Sequence, residues 1–84
     1  MSYGDDILFW AFRYALPRNT YAVDDVADAI LRSTGAIRPK YRRIMLRELR
    51  DDRDEHGFDT PYAVKWHKVI EALEKEEEAY GTKA

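Results

Sequence analysis

Cysteine is absent from this chain of 84 residues, which excludes disulfide bonds and thiolate metal sites. Long apolar runs are missing as well, because the longest, from Ile7 to Phe12, has six residues. A membrane-spanning helix needs about 18–20 apolar residues, so none is expected. The first six residues also lack the basic start of a signal peptide. These absences predict a cytoplasmic protein with no membrane partner.

Catalytic and metal-binding motifs are missing too. The sequence contains no G-x-S-x-G, P-loop or H-E-x-x-H pattern. The acidic run from Asp51 to His56 lacks the glycine and the distal glutamate of a calcium loop, and it is more typical of a solvated helix end. We therefore expect no enzyme activity, no metal site and no cofactor, and the remaining class is a binding protein.

Charge is spread unevenly along the chain, although the net charge is only −2. Residues 1–34 carry five acids and three bases, residues 35–50 one acid and six bases, and residues 51–84 ten acids and five bases. The hydrophobic fraction of 45% is too high for a disordered chain. The sequence thus predicts a folded domain with a basic middle between two acidic segments.

Helix-breaking and helix-capping residues divide the chain into four segments. Pro17 interrupts the first apolar segment, and Gly35 and Gly57 stand where left-handed helix caps are expected. Thr60 followed by Pro61 is a strong helix start. Apolar residues recur at helical spacing between these breaks, and no long stretch alternates as a strand would.

The predicted fold is therefore all-α, a compact four-helix bundle with an apolar central first helix, in a single domain, residues 1–84. The predicted helices cover residues of about 5–16, 20–33, 39–56 and 61–80, each boundary carrying an error of about ±2–4 residues.

The first helix is apolar around nearly its whole circumference. A helix of this kind is either buried on all sides or exposes a face to a partner. The first alternative makes it a central helix wrapped by the other three. The second leaves an aromatic edge at an oligomer or target interface, where Trp and Tyr are favoured.

Residues at the end of this helix carry a partial family resemblance. The run Phe12–Leu16, followed by Arg18 and by matching positions within residues 20–26, resembles an F-R-Y-A-L-G-R-x-T-Y-x-V pattern in small proteins of bacteriophages and other mobile elements. The resemblance covers residues 8–31 and departs from the pattern at Pro17, where glycine is usual. It implies a phage accessory protein. By analogy with other small proteins of this kind, it suggests an inhibitor of host defence, such as an anti-CRISPR protein.

Arg13 lies inside the most apolar helix, so its charge must be paired or must reach water. An antiparallel second helix would bring the aspartates 24, 25 and 28 beside it. We expect an ion pair between Arg13 and Asp24, Asp25 or Asp28. The alternative is an arginine presented to a ligand.

A basic stripe is predicted on the third helix, where four cations follow helical spacing: Lys40, Arg43, Arg47 and Arg50. They fall within roughly an 80° arc and could contact phosphates or an acidic protein surface. The alternative is a solvated face paired with acids of the same helix. The acidic end of the chain offers a further alternative, a surface that imitates DNA.

Two functions follow as hypotheses. The leading one is a non-enzymatic inhibitor that binds a host protein or ribonucleoprotein complex in the host cytoplasm. Its predicted contact residues combine exposed aromatics with the basic stripe: Tyr3, Trp10, Tyr21, Lys40, Arg43, Arg47 and Arg50. The second is a small helical nucleic-acid-binding regulator that uses the same stripe. Duplex DNA is the less favoured partner because the flanking acidic segments repel it, and a homodimer is possible.

Overall fold

The computed structural model of the chain describes residues 4–18 and 21–81. These ranges contain four α-helices and no strand: α1 (Asp5–Ala15), α2 (Tyr21–Arg32), α3 (Pro39–His56) and α4 (Lys65–Glu76). A 3₁₀ turn, Thr34–Ala36, connects α2 to α3, and a π-helical turn, Glu77–Gly81, continues α4. The predicted all-α fold is confirmed. None of the helices in the described ranges combines the length and apolar character needed to cross a bilayer.

The helices pack in the cyclic order α1–α2–α4–α3, so that α1 and α4 each contact α2 and α3. The Cα atoms span 35 × 32 × 16 Å, and the short dimension corresponds to two helix layers. Phe12 of α1 meets Trp66 of α4 edge to face across the middle, with ring centroids 5.7 Å apart. The core around this pair is built from apolar residues of all four helices, with Ile37 and Phe58 from the connections.

Helix α1 is not enclosed on all sides. It buries Leu8, Phe9, Phe12 and Ala15, and its opposite side is open to solvent. The expected central position of α1, wrapped by the other three helices, is not found, and an apolar edge stays exposed as in the second alternative. The reason is the packing order, because α1 packs mainly against α2 and α3.

The helix ends match the sequence prediction in part. Gly57 ends α3 with a φ of 75°, a backbone conformation that favours glycine, and its N–H donates to the carbonyl of Arg53. The left-handed cap predicted at Gly35 is wrong, because this residue continues into the 3₁₀ turn and its φ is not positive. Thr60 was predicted to cap the fourth helix, but its Oγ1 accepts a hydrogen bond from the N–H of Ala63 (3.3 Å) in the turn before α4, and the helix itself has Val64 at its N-cap.

Helix α4 begins four residues later than predicted. Residues 61–64 form a tight turn whose last hydrogen bonds join residues three apart, for example from the N–H of Trp66 to the carbonyl of Ala63 (2.9 Å). Regular α-helix therefore starts only at Lys65. Its buried stripe consists of Trp66, Val69, Ile70 and Leu73.

Candidate protein-binding face

Three large side chains project from the exposed side of α1. Ile7, Trp10 and Tyr14 are 55%, 67% and 59% exposed. At 100° per residue they fall within an arc of about 60°, on the side opposite Phe12 and the other core residues. Together they expose on the order of 300–400 Å², a size at which apolar patches on monomers often mark a binding site. We call Ile7, Trp10 and Tyr14 the α1 face.

The N-terminal end of α1 is fixed to the start of α3 by an ion cluster. The Asp5 carboxylate accepts hydrogen bonds from the backbone N–H (2.9 Å), Nε (2.8 Å) and Nη2 (2.9 Å) of Arg38. Arg38 also pairs with Asp6. The hydrogen bonds from Arg38 lower the pKa of Asp5 to about 2, and the hydrogen bond with Asp6 raises the pKa of Tyr41. The helix that carries the α1 face is therefore held at its N-terminal end by these ion pairs.

Aromatic packing holds the middle of α1 against α3. The Phe9 ring stacks on Tyr41 with centroids 4.8 Å apart, and Trp10 meets Phe9 edge to face at 5.9 Å. Because Phe9 is buried and Trp10 leans on it, the indole is supported on one side while most of it stays in solvent. A supported aromatic loses less conformational entropy on binding than a mobile one.

Two arginines border the C-terminal half of the α1 face. The Arg18 guanidinium lies 3.9 Å from the centroid of the Tyr14 ring and donates to the Tyr14 carbonyl. The Arg13 guanidinium lies 6.0 Å from the Trp10 ring. No described carboxylate lies within ion-pair distance of Arg18, so this end of the face is positively charged. The whole arrangement, aromatic rings with arginines on them, has the composition of an interface hot spot.

The predicted pairing of Arg13 with α2 is wrong. The Arg13 side chain is half exposed, and its Nη2 lies 3.7 Å from Oε1 of Glu48 on α3. Asp24 and Asp28 instead approach Lys65 of α4, with Nζ–Oδ1 distances of 3.7 and 3.3 Å. The reason is the cyclic helix order, because α2 contacts both α1 and α4 and turns these aspartates towards α4. Asp25, also predicted as a partner, is exposed.

Two of the four cations in the predicted basic stripe form ion pairs with glutamates near the C-terminus. Arg43 donates from Nε to Oε1 of Glu77 (3.0 Å), and Arg50 donates from Nη2 to Oε2 of Glu74 (2.7 Å). Lys40 and Arg47 are exposed, and no described carboxylate lies within ion-pair distance of either. The partners of Arg43 and Arg50 come from the end of the chain, whereas the sequence suggested acids of the same helix. Half of the stripe is therefore already neutralised.

Arg42, the neighbour of this stripe, is buried. Only 3% of it is exposed, and its Nε donates to Oε2 of Glu77 at 2.7 Å. The hydrogen bonds from Arg42 and Arg43 lower the pKa of Glu77. The Nη2 atom of Arg42 is buried and has no hydrogen-bond partner among the described residues. The acidic C-terminal turn is thus tied to α3 by one carboxylate between two guanidinium groups.

Two of the three aromatic residues that were predicted to contact a partner lie among the described residues, on different helices. Trp10 belongs to the α1 face, and Tyr21, 73% exposed, lies at the start of α2. Tyr3 lies outside the described residues. Sequence reasoning missed Ile7 and Tyr14 as members of the face. Arg13 gave no clear signal, because buried Phe9 lies about 40° from it around the helix whereas exposed Tyr14 lies about 100° from it.

A pocket of about 240 Å³ opens at the C-terminal end of α1. Its apolar lining comes from Leu16, Ala63 and Trp66, and its polar lining includes Arg18, Asp52, His56 and Thr60. Burial raises the pKa of Asp52, and nearby His56 partly counters the effect. No group of three or more potential ligating side chains among the described residues is arranged to hold a metal ion.

Comparison with known proteins returned no family model, no curated protein and no solved structure that matches the chain. The resemblance of residues 8–31 to phage and mobile-element proteins therefore stays a prediction from the motif.

Proposed function

We propose that the chain is a non-enzymatic protein whose partner is another protein, bound on the α1 face. The observation that carries this proposal is the exposure of Ile7, Trp10 and Tyr14 on the side of α1 opposite the core. Aromatic residues with arginine beside them supply most of the energy of protein interfaces. Burying this face would remove from water an apolar patch of the size that partners cover.

The biological setting comes from the resemblance. Inhibitors of host defence are a prominent class among small helical phage proteins, so by analogy the proposed partner is a host protein or ribonucleoprotein complex, with a CRISPR effector as the leading candidate. The chain would act in the host cytoplasm. A charge of −2 and the absence of a catalytic constellation fit inhibition by occupying a surface rather than by modifying the target.

A protein partner is favoured over duplex DNA because the α1 face is apolar, whereas contacts with DNA are dominated by charged groups on phosphates. Two of the four cations of the basic stripe that would make such contacts, Arg43 and Arg50, already pair with Glu77 and Glu74. The remaining cations, Lys40 and Arg47, are too few for tight binding of a duplex at physiological salt.

The proposal is tested by binding to purified CRISPR effector complexes of different types, measured by surface plasmon resonance. We expect one complex to bind the chain and Trp10→Ala to weaken that binding at least about 30-fold, the loss that corresponds to a hot spot of about 2 kcal/mol. Val64→Ala is the matched control, since Val64 is an exposed apolar residue on the turn before α4. It should bind as the wild type does.

Two results would contradict this proposal. One is equal binding by Trp10→Ala and Val64→Ala, which would place the contact elsewhere. The other is a stable dimer that Trp10→Ala converts to a monomer while no effector complex binds, measured by analytical ultracentrifugation. In that case a second copy of the chain covers the α1 face.

A further inference from the structure

The pocket at the C-terminal end of α1 is continuous with the α1 face. Arg18 connects the two, because its guanidinium lies on the Tyr14 ring of the α1 face and the residue also lines the pocket. A partner that packs along α1 therefore reaches the pocket mouth without leaving the surface. The volume of about 240 Å³ is enough for one long side chain.

The pocket has an apolar lining and one carboxylate that lacks an ion-pair partner among the described residues. Leu16 and Ala63 provide partly exposed apolar surface, and Asp52 contributes a half-buried carboxylate. No described residue donates a hydrogen bond to this carboxylate or lies within ion-pair distance as a cation. Burial raises the pKa of Asp52, because its ionised form is less well solvated in the folded chain.

Other groups around the pocket also favour a positive charge. The C-termini of α1 and α3 both end here, at Leu16 and Gly57, and helix C-termini carry partial negative charge. Opposing them are the start of the turn at Thr60 and the cations Arg18 and His56. The Arg18 guanidinium is held against the ring and carbonyl of Tyr14 and lies beyond ion-pair distance of Asp52.

We propose that this pocket receives a basic side chain of the protein partner, with its alkyl stem on Leu16 and Ala63 and its cationic end at Asp52. This inference rests on the proposed function, since it names the chemistry that the partner brings to the end of the α1 face. A lysine or arginine side chain fits because it joins a long apolar stem to a cation. An acidic side chain would meet Asp52 and two helix C-termini of the same sign.

The test uses small probes and needs no identified partner. The amide spectrum of the ¹⁵N-labelled chain is titrated with N-acetyl-lysine methylamide and with N-acetyl-norleucine methylamide, which has a similar stem and no charge. We expect both to move the signals of His56, Gly57 and the Trp66 indole. The lysine probe should bind about fivefold more tightly, a typical gain for one partly exposed ion pair.

Two variants assign this preference to Asp52. Asp52→Asn should make the two probes bind equally, whereas Asp51→Asn, the same change at an exposed neighbour, should preserve the lysine preference. The proposal is overturned if the probes bind the wild type equally, if neither moves the pocket signals, or if Asp52→Asn retains the preference.

Failure of this inference is distinguishable from failure of the proposed function. If Trp10→Ala leaves effector binding intact while the lysine probe still selects Asp52, the α1 face is wrong and the pocket stands. If Trp10→Ala abolishes effector binding but Asp52→Asn binds the effector as the wild type does, the pocket assignment is wrong and the α1 face stands.

Discussion

Glutamine in place of Glu77 removes the carboxylate that accepts hydrogen bonds from Arg42 and Arg43. Arg42 is then left charged and buried, and its Nη2 already lacks a hydrogen-bond partner among the described residues. Removing one member of a fully buried ion pair costs about 3–5 kcal/mol. The Glu77 side chain is 32% exposed, so water screens part of this interaction, and we expect a loss of about 2 kcal/mol.

That loss is large for a chain of this size. A domain of 84 residues has a free energy of unfolding of about 4–12 kcal/mol. A loss of about 2 kcal/mol lowers the melting temperature by about 8–16 °C. The assay is thermal unfolding at pH 7 followed by circular dichroism at 222 nm.

Glu74→Gln is the matched control, because Glu74 and its partner Arg50 are both nearly half exposed and such pairs contribute about 0–1 kcal/mol. A second test replaces Arg42 by methionine, which fills a similar volume without a charge. In that background Glu77→Gln should cost little, since no buried cation remains to be orphaned. Equal melting temperatures for Glu74→Gln and Glu77→Gln would refute the assignment of Arg42 as a buried charge that needs Glu77.

Two further predictions concern the ends of α1. Arg13→Ala should lower the melting temperature by no more than about 4 °C, since its pair with Glu48 is long and half exposed, and a loss above 10 °C would show that Arg13 is buried. The low pKa of Asp5, about 2 in the folded chain, makes its contribution to stability fully present above pH 4 and lost as the pH falls towards 2. Melting temperatures measured between pH 5 and pH 2.5 should therefore fall less in Asp5→Asn than in the wild type, and parallel curves would contradict the ion cluster with Arg38.

Local signals in the sequence predicted much of the fold. Pro39 and Gly57 defined α3 because their effects act on the backbone of adjacent residues. The start of α4 was harder, since Thr60 and Pro61 specify a helical turn but not whether it is tight or α-helical. The four-residue error at α4 follows from that ambiguity.

The ion pairs were poorly predicted because they depend on long-range packing. Arg42 stands in a run of cations that indicates a solvated surface, and its burial depends on Glu77, which lies 35 residues further along the chain. The partner of Arg13 depends on which helices are neighbours, which periodicity within one helix does not specify. The α1 face was only partly predicted for the same reason, because an all-apolar helix does not by itself indicate which side is left uncovered.

We propose that the α1 face binds a host defence complex. The most direct measurement is the plating efficiency of a CRISPR-targeted phage on hosts that express the wild type, Trp10→Ala or Val64→Ala at equal levels. We expect the wild type and Val64→Ala to restore plating. Trp10→Ala should restore it at least about tenfold less well, because a hot-spot contact is lost. Equal restoration by Trp10→Ala, or no restoration by the wild type against any effector type, would contradict it.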